Sequence, residues 1–126
     1  MFCEQLRTNL NHLQASKAKM TELNKYFKYL SVLEKSNKQL DLDGIDVLLL
    51  NEIAKANDAK RILYVKDLLS LKEIASQATI HGRLKHLVNT KLITLKSNQD
   101  DGRLREVVLT KLAHKRYELL SKAIEG

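Results

Sequence analysis

The sequence contains no proline and four glycines among its 126 residues. Both residue types interrupt helices, so their scarcity predicts a mainly helical chain. Long apolar runs are also lacking, and with no stretch approaching about eighteen apolar residues we expect no membrane-spanning helix. The first residues, from Met1 to Glu4, lack the basic and apolar regions of a signal peptide, which favours a cytoplasmic location.

Cysteine occurs once, as Cys3, and a single thiol cannot form a disulfide within the chain, which fits a reducing compartment. Sequence motifs of catalysis are missing as well, including a Gly-rich phosphate loop, a G-x-S-x-G turn and a His-Glu metal pair. His81 and His86 are five residues apart and do not share one helical face, so we expect solvent or phosphate contacts there. We therefore expect that the protein is not an enzyme and that it holds neither a cofactor nor a metal ion.

The positive charge is unevenly distributed along the chain. Residues 1–60 hold nine Lys/Arg and eight Asp/Glu, a net of +1, whereas residues 61–126 hold thirteen and seven, a net of +6. Such a field attracts a polyanion, and the release of counterions from DNA is its commonest use. The charge distribution therefore favours double-stranded DNA as a partner of the second half.

Apolar residues recur at helical spacing over residues 4–36 and predict a long first helix with an apolar stripe. At about 1.5 Å per residue this helix is roughly 45 Å long, more than a domain of this size can cover by itself. We expect a second copy of the chain to cover the stripe, with residues 1–36 and 111–126 as dimerisation helices. The candidate dimerisation residues are Leu6, Leu10, Leu13, Met20, Leu120 and Ile124.

Residues 41–110 form the predicted DNA-binding core. Acidic residues at positions 41 and 43 favour a helix start, and a helix that is apolar nearly all round follows to about residue 58. Residues 61–65 are rich in β-formers and predict a brief strand, and residues 66–71 predict a short helix.

Residues 76–89 predict a helix whose first residue, Ser76, is a good N-cap. Ile80, Leu84, Leu87 and Val88 recur at helical spacing and define its buried side. In helix-turn-helix proteins the N-terminal end of such a helix approaches base edges in the major groove, where Gln suits adenine and Thr suits a thymine methyl. The candidate DNA contacts on this helix are Ser76, Gln77, Ala78, Thr79, His81, Gly82 and Lys85.

Residues 92–110 predict a β-hairpin, with two alternating strands around a polar turn that contains glycine. A hairpin that follows a recognition-like helix directly is typical of a wing. Arg103 lies at the predicted tip, and the negative potential of a minor groove favours arginine. Lys96 and Arg105 are the further candidate DNA contacts in the wing.

From residue 42 to residue 113 the order of elements resembles that of the MarR family of winged-helix transcriptional regulators. The residues that carry the resemblance are Ser76-Gln77-Ala78-Thr79-Ile80 at the start of the recognition helix, Leu92-Ile93 at the entry to the wing, and Asp101-Gly102-Arg103 with Leu109-Thr110 in the wing.

The resemblance implies that Asp101 orients the wing and that Arg103 contacts the minor groove. It also implies a small-molecule effector of unknown identity, because family members often sense one. Two positions depart from the family pattern: Lys91 stands where a glycine is usual, and Gly82 where a longer polar or basic residue is frequent.

The sequence therefore predicts one domain over residues 1–126, mainly α with a small β-wing: a winged helix-turn-helix with long N-terminal and C-terminal dimerisation helices. We expect a bacterial, cytoplasmic and nucleoid-associated transcriptional regulator that binds a pseudo-palindromic DNA site as a homodimer. The alternative is a winged-helix adaptor for protein interaction or dimerisation, without specific DNA binding. Residues 76–105 hold six Lys/Arg and two Asp/Glu, a net of +4, which an adaptor does not need.

Overall fold

The computed structural model describes residues 17–125, with side chains from residue 22 onward. The elements in chain order are α1 (Lys17–Gln39), α2 (Gly44–Asp58), α3 (Val65–Leu69), α4 (Gln77–Asn89), β1 (Ile93–Ser97), β2 (Arg105–Leu109) and α5 (Lys111–Glu125). This order confirms the predicted mainly helical fold with a two-stranded wing. Among the described residues, no helix is long and apolar enough to cross a membrane.

Two aspartates begin α2, as the acidic residues before it predict. The Asp43 side chain accepts a hydrogen bond from the Asp46 N–H at 2.9 Å, and the Asp46 side chain accepts one from the Asp43 N–H at 3.1 Å. This reciprocal capping satisfies amide groups that the first turn of a helix otherwise leaves without partners. The helix then buries Leu49, Leu50 and Ile53 completely in the core.

The brief strand predicted for residues 61–65 is wrong. This segment touches β2 only through an isolated bridge between Tyr64 and Glu106 and a hydrogen bond of 2.8 Å from the Val107 N–H to the Leu63 carbonyl. The Tyr64 N–H instead donates to the Asp67 side chain at 2.9 Å, which caps α3. A side chain that bonds the local backbone competes with strand pairing, so the chain enters a helix directly after the bridge.

Strands β1 and β2 form an antiparallel hairpin whose inner face carries the apolar residues. Ile93 lies opposite Leu109, and all but a small fraction of both side chains is buried. At the base of the hairpin, the Thr110 hydroxyl donates to the Lys91 carbonyl at 2.6 Å and accepts from the Ala113 N–H at 3.3 Å. Thr110 therefore caps α5 and also joins the start of that helix to the entry of the wing.

Helices α1 and α5 pack along each other. The buried guanidinium of Arg116 donates to the Asn37 side chain at 2.8 Å and lies 5.2 Å from the Tyr117 ring centre. Burial lowers the pKa of Arg116 and raises that of Tyr117.

The candidate dimerisation residues have different positions. Leu120 is buried within its own chain, so it does not offer a surface to a second copy, whereas Ile124 is 59% exposed. Met20 lies in α1. Leu6, Leu10 and Leu13 lie outside the described residues.

The structure explains why a glycine suits position 91. Lys91 adopts a φ of 64°, in the left-handed region where a side chain is strained.

We expect Lys91→Gly to have a free energy of unfolding about 1 kcal/mol higher than Lys91→Ala, because both variants lose the same charge and only glycine relieves the strain. Chemical denaturation of the two variants measures the difference, and equal stability would contradict this account.

Candidate nucleic-acid interface

The start of α4 is organised by its N-cap. Ser76 has an extended backbone conformation, and its hydroxyl oxygen accepts a hydrogen bond from the Thr79 N–H at 3.3 Å. The same hydroxyl lies 3.0 Å from the Thr79 hydroxyl. Both polar groups therefore sit at the N-terminal end of the helix, with Thr79 half-buried and Ser76 exposed.

One face of α4 is free of the core. Ile80, Leu84 and Leu87 are buried, and the other predicted contacts on this helix are exposed: Gln77, Ala78, His81, Gly82 and Lys85. A Cβ atom added to Gly82 meets no other atom within 4 Å. The packing of the described chain therefore does not require a glycine at this exposed helical position.

A groove of about 250 Å³ separates α4 from the hairpin. Apolar side chains, including Leu84, Val88 and Leu95, line it together with the polar residues His81, Lys85 and Arg105. A neighbouring groove is lined by His81, Arg103 and Arg105. The fold therefore brings four of the predicted DNA contacts together, although they come from two separate elements.

The wing tip is held by two side chains. The Asn98 side-chain oxygen accepts hydrogen bonds from the Asp100 N–H at 2.8 Å and the Asp101 N–H at 3.2 Å. Asp101 in turn accepts from the Arg103 N–H at 3.0 Å and from Arg103 Nε at 3.3 Å. An exposed ion pair contributes little stability, so the effect of Asp101 is to direct the Arg103 side chain, which is 93% exposed.

Asn98 also joins the wing to the rest of the core. Its side-chain nitrogen donates to the Tyr64 hydroxyl at 3.3 Å across 34 positions of sequence. Neither residue could be predicted from the sequence as part of the site, because no local pattern indicates a contact between positions so far apart.

Lys96 lies on the other face of the hairpin. Lys96 is paired in register with Glu106. Arg105 lies on the other face of β2, together with Val107 and Leu109, which meet the core. Since successive side chains of a strand point to opposite faces, Lys96 and Arg105 point in different directions. The fold therefore does not place Lys96 in the groove beside α4.

Two basic side chains of α4 face the segment between α1 and α2. Arg83 forms a close ion pair with Asp43 and lies 3.7 Å from the carboxylate of Asp46. His86 Nε2 lies 2.8 Å from the Asp41 carbonyl, to which it donates. The solvent or phosphate contact expected for His86 is therefore wrong, because the helix turns this side chain toward the backbone that leads into α2.

The pKa values of the two carboxylates beside Arg83 are shifted in opposite directions. The Asp46 N–H bonds Asp43 and holds the pKa of Asp43 below its usual value. Burial raises the pKa of Asp46, which is 1% exposed, and Oδ1 of its carboxylate has no hydrogen-bond partner among the described residues. No group of three or more His, Cys, Asp or Glu in this described part of the chain could hold a metal ion.

Solved structures share this arrangement of helices and wing. A DNA complex of MepR from S. aureus aligns with a TM-score of 0.63 and 16% identity over 90% of this chain and 75% of its own. Overoxidized AbfR bound to DNA aligns with a TM-score of 0.57 and 23% identity over 99% and 84%. YusO from Bacillus subtilis aligns with a TM-score of 0.57 and 17% identity over 97% and 77%.

The fold is the winged helix seen in MepR, AbfR and YusO. These likenesses confirm the predicted winged-helix fold, in which β1–β2 is the wing. No protein-family model and no curated protein matches the sequence.

The role of Asn98 in shaping the wing can be tested directly. We expect Asn98→Ala to speed hydrogen exchange at the Asp100 and Asp101 amides by roughly tenfold, since both lose their acceptor. Exchange followed by NMR measures the effect, and Gln99→Ala is the control because Gln99 is an exposed neighbour. Unchanged protection in Asn98→Ala would show that the strands alone hold the tip.

Proposed function

We propose that this protein is a transcriptional regulator that binds double-stranded DNA sequence-specifically, as a homodimer on a pseudo-palindromic site. The observation that carries the proposal is the cluster of His81, Lys85, Arg103 and Arg105 around the groove between α4 and the wing. A helix that enters a major groove, with a wing beside it, needs cationic and polar groups on these two neighbouring surfaces.

Polar residues near the start of α4 suit the reading of base edges. Gln77 can bond adenine with its amide, and Thr79 can contact a base or a thymine methyl. Lys85 is placed for a phosphate or guanine, and Arg103, directed outward by Asp101, for a minor groove. Ser76, Ala78 and Gly82 complete the proposed contact surface on α4, and Lys96 is proposed to meet the DNA backbone from the outer face of the wing.

The dimer is supported by apolar residues that the described part of the chain leaves exposed. Leu23, Tyr26 and Phe27 on α1 are 53%, 54% and 58% exposed. Leu119 and Ile124 on α5 are 49% and 59% exposed, and the two helices pack together. A large exposed apolar surface of this kind is typical of an interaction site, and a second copy covers it symmetrically.

Two of the similar structures, MepR and AbfR, are described as DNA complexes, which supports DNA as the partner proposed here. The proposed function involves no catalytic step. We propose a cytoplasmic location in association with the nucleoid, and an effector of unknown identity.

Selection of bound sequences from a random pool of duplexes tests the proposal. A regulator that acts as a dimer enriches an inverted repeat whose half-sites lie about 34–36 Å apart. Enrichment without an inverted repeat would contradict the dimeric arrangement. A chain that ignores duplex DNA at low salt would instead have to be a protein-binding adaptor.

The cationic residues of the groove give a quantitative prediction. We expect Lys85→Ala and Arg103→Ala to lose most of the DNA affinity, and each to reduce the slope of log affinity against log salt by about one, as one phosphate contact is lost. Fluorescence anisotropy at several salt concentrations measures both quantities. Lys115→Ala is the control, because it removes an exposed charge from α5; an equal loss there would point to general charge instead of this site.

A substitution at Gly82 is expected to change the stability of the fold and the affinity for DNA in opposite directions. We expect Gly82→Ala to raise the free energy of unfolding by about 1 kcal/mol, since alanine favours a helix and the added methyl group meets nothing in the chain. DNA affinity is expected to fall in the same variant, because the methyl group holds the helix backbone away from the base edges. A stabilised variant with unchanged affinity would show that this part of α4 does not approach DNA closely.

A further inference from the structure

We propose that Arg83 and His86 are positioning residues that fix the recognition helix α4 relative to α1, and thereby set the half-site spacing that the dimer accepts. This inference rests on the proposed function, because α1 is taken to form part of the dimer seam and α4 to enter DNA. The two residues and their partners Asp41, Asp43 and Asp46 are called the α4 latch below.

The latch contacts all reach the segment through which α1 continues into α2. Arg83 pairs closely with Asp43, the N-cap of α2, and His86 donates to the Asp41 carbonyl at 2.8 Å. Asp41 itself has a φ of 56°, so the chain turns sharply at the residue that His86 holds. The His86 side chain of α4 therefore forms a hydrogen bond with the backbone at the bend between α1 and α2.

The buried carboxylate of Asp46 makes the position of α4 specific. Asp46 Oδ2 lies 3.7 Å from Arg83 Nη1 and 3.9 Å from His86 Nε2, and the residue is 1% exposed. A buried charge is costly unless cations compensate it. Sliding or tilting α4 away from α2 removes the Arg83 guanidinium and the His86 ring from this carboxylate, so the latch favours one arrangement of the two helices.

Three sides of α4 have different surroundings: the core, the latch partners and solvent. Ile80, Leu84 and Leu87 face the core, and Arg83 and His86 face the latch. The side that carries Gly82 and Lys85 is left exposed. Apolar packing is not strongly directional, whereas an ion pair and a hydrogen bond at three-residue spacing fix both the tilt and the rotation of the helix.

The first test needs no DNA. Spin labels are attached at Lys28→Cys in α1 and Ala78→Cys in α4, both exposed positions, in a chain that carries Cys3→Ser. Double electron–electron resonance, with labelled chains diluted in unlabelled protein, measures the distribution of distances within one chain. We expect a narrow distribution with the latch intact and a broader or shifted one after Arg83→Ala or His86→Ala.

The second test uses the inverted repeat obtained by selection, with its half-sites moved together or apart by one to three base pairs. We expect Arg83→Ala and His86→Ala to bind the best spacing roughly tenfold more weakly and to discriminate less between spacings. Binding to a duplex with a single half-site is expected to change less than twofold, since the contact face is intact. Arg83→Lys and His86→Gln keep the charge or the donor and are expected to restore part of the spacing preference.

Lys38→Ala is the control, because Lys38 is an exposed basic residue near the end of α1 and its side chain makes no latch contact. The inference is overturned if the latch variants keep the narrow distance distribution, or if they weaken full-site and half-site binding equally. Failure of the unchanged chain to bind any duplex overturns the proposed function instead. The distance distributions still decide the role of the latch in that case.

Discussion

Ile80, Leu84 and Leu87 are buried on one side of α4, and this apolar contact fixes the direction of the other side chains on the helix. Burying three such side chains contributes on the order of 5 kcal/mol before entropy is counted, far more than any exposed ion pair. The core therefore holds α4 in place, while the polar side chains of the helix determine its orientation. Because the helix is anchored on one side, the exposed side can carry Gly82 and Lys85 without a large loss of stability.

Polar contacts at the two flanks of α4 act on geometry more than on stability. On one flank, Arg83 and His86 reach the bend between α1 and α2, and on the other Asn98 ties the wing to Tyr64. Each contact adds a directional bond between segments that the apolar core already packs together. Helix α4, the wing and the bend after α1 are thus related to one another by a small number of directional bonds.

Much of this fold could be predicted from the sequence, because its signals are local. The helical spacing of apolar residues indicated α4, and Ser76 was identified as the N-cap that the structure contains. The predicted strand at residues 61–65 failed because the Asp67 cap on Tyr64 competes with pairing to β2, and local β-propensity cannot weigh the two. His86 was misplaced for a related reason: its partner is a carbonyl 45 positions away, which no periodicity reveals.

The charge of the second half overstates what one protomer can offer to DNA. Arg83 pairs with Asp43, which lies outside residues 76–105, so one unit of the net charge of +4 in that range is compensated locally. Asp101, already counted in that net charge, lies against Arg103. Weak contact surfaces gain affinity steeply when two are held together at a fixed distance, because the second binds as an intramolecular event. This gain is lost when the geometry does not match, which ties affinity to the relation between α1 and α4. In the proposed dimer, the rigid coupling of two copies therefore matters as much as the contacts that each copy makes with DNA.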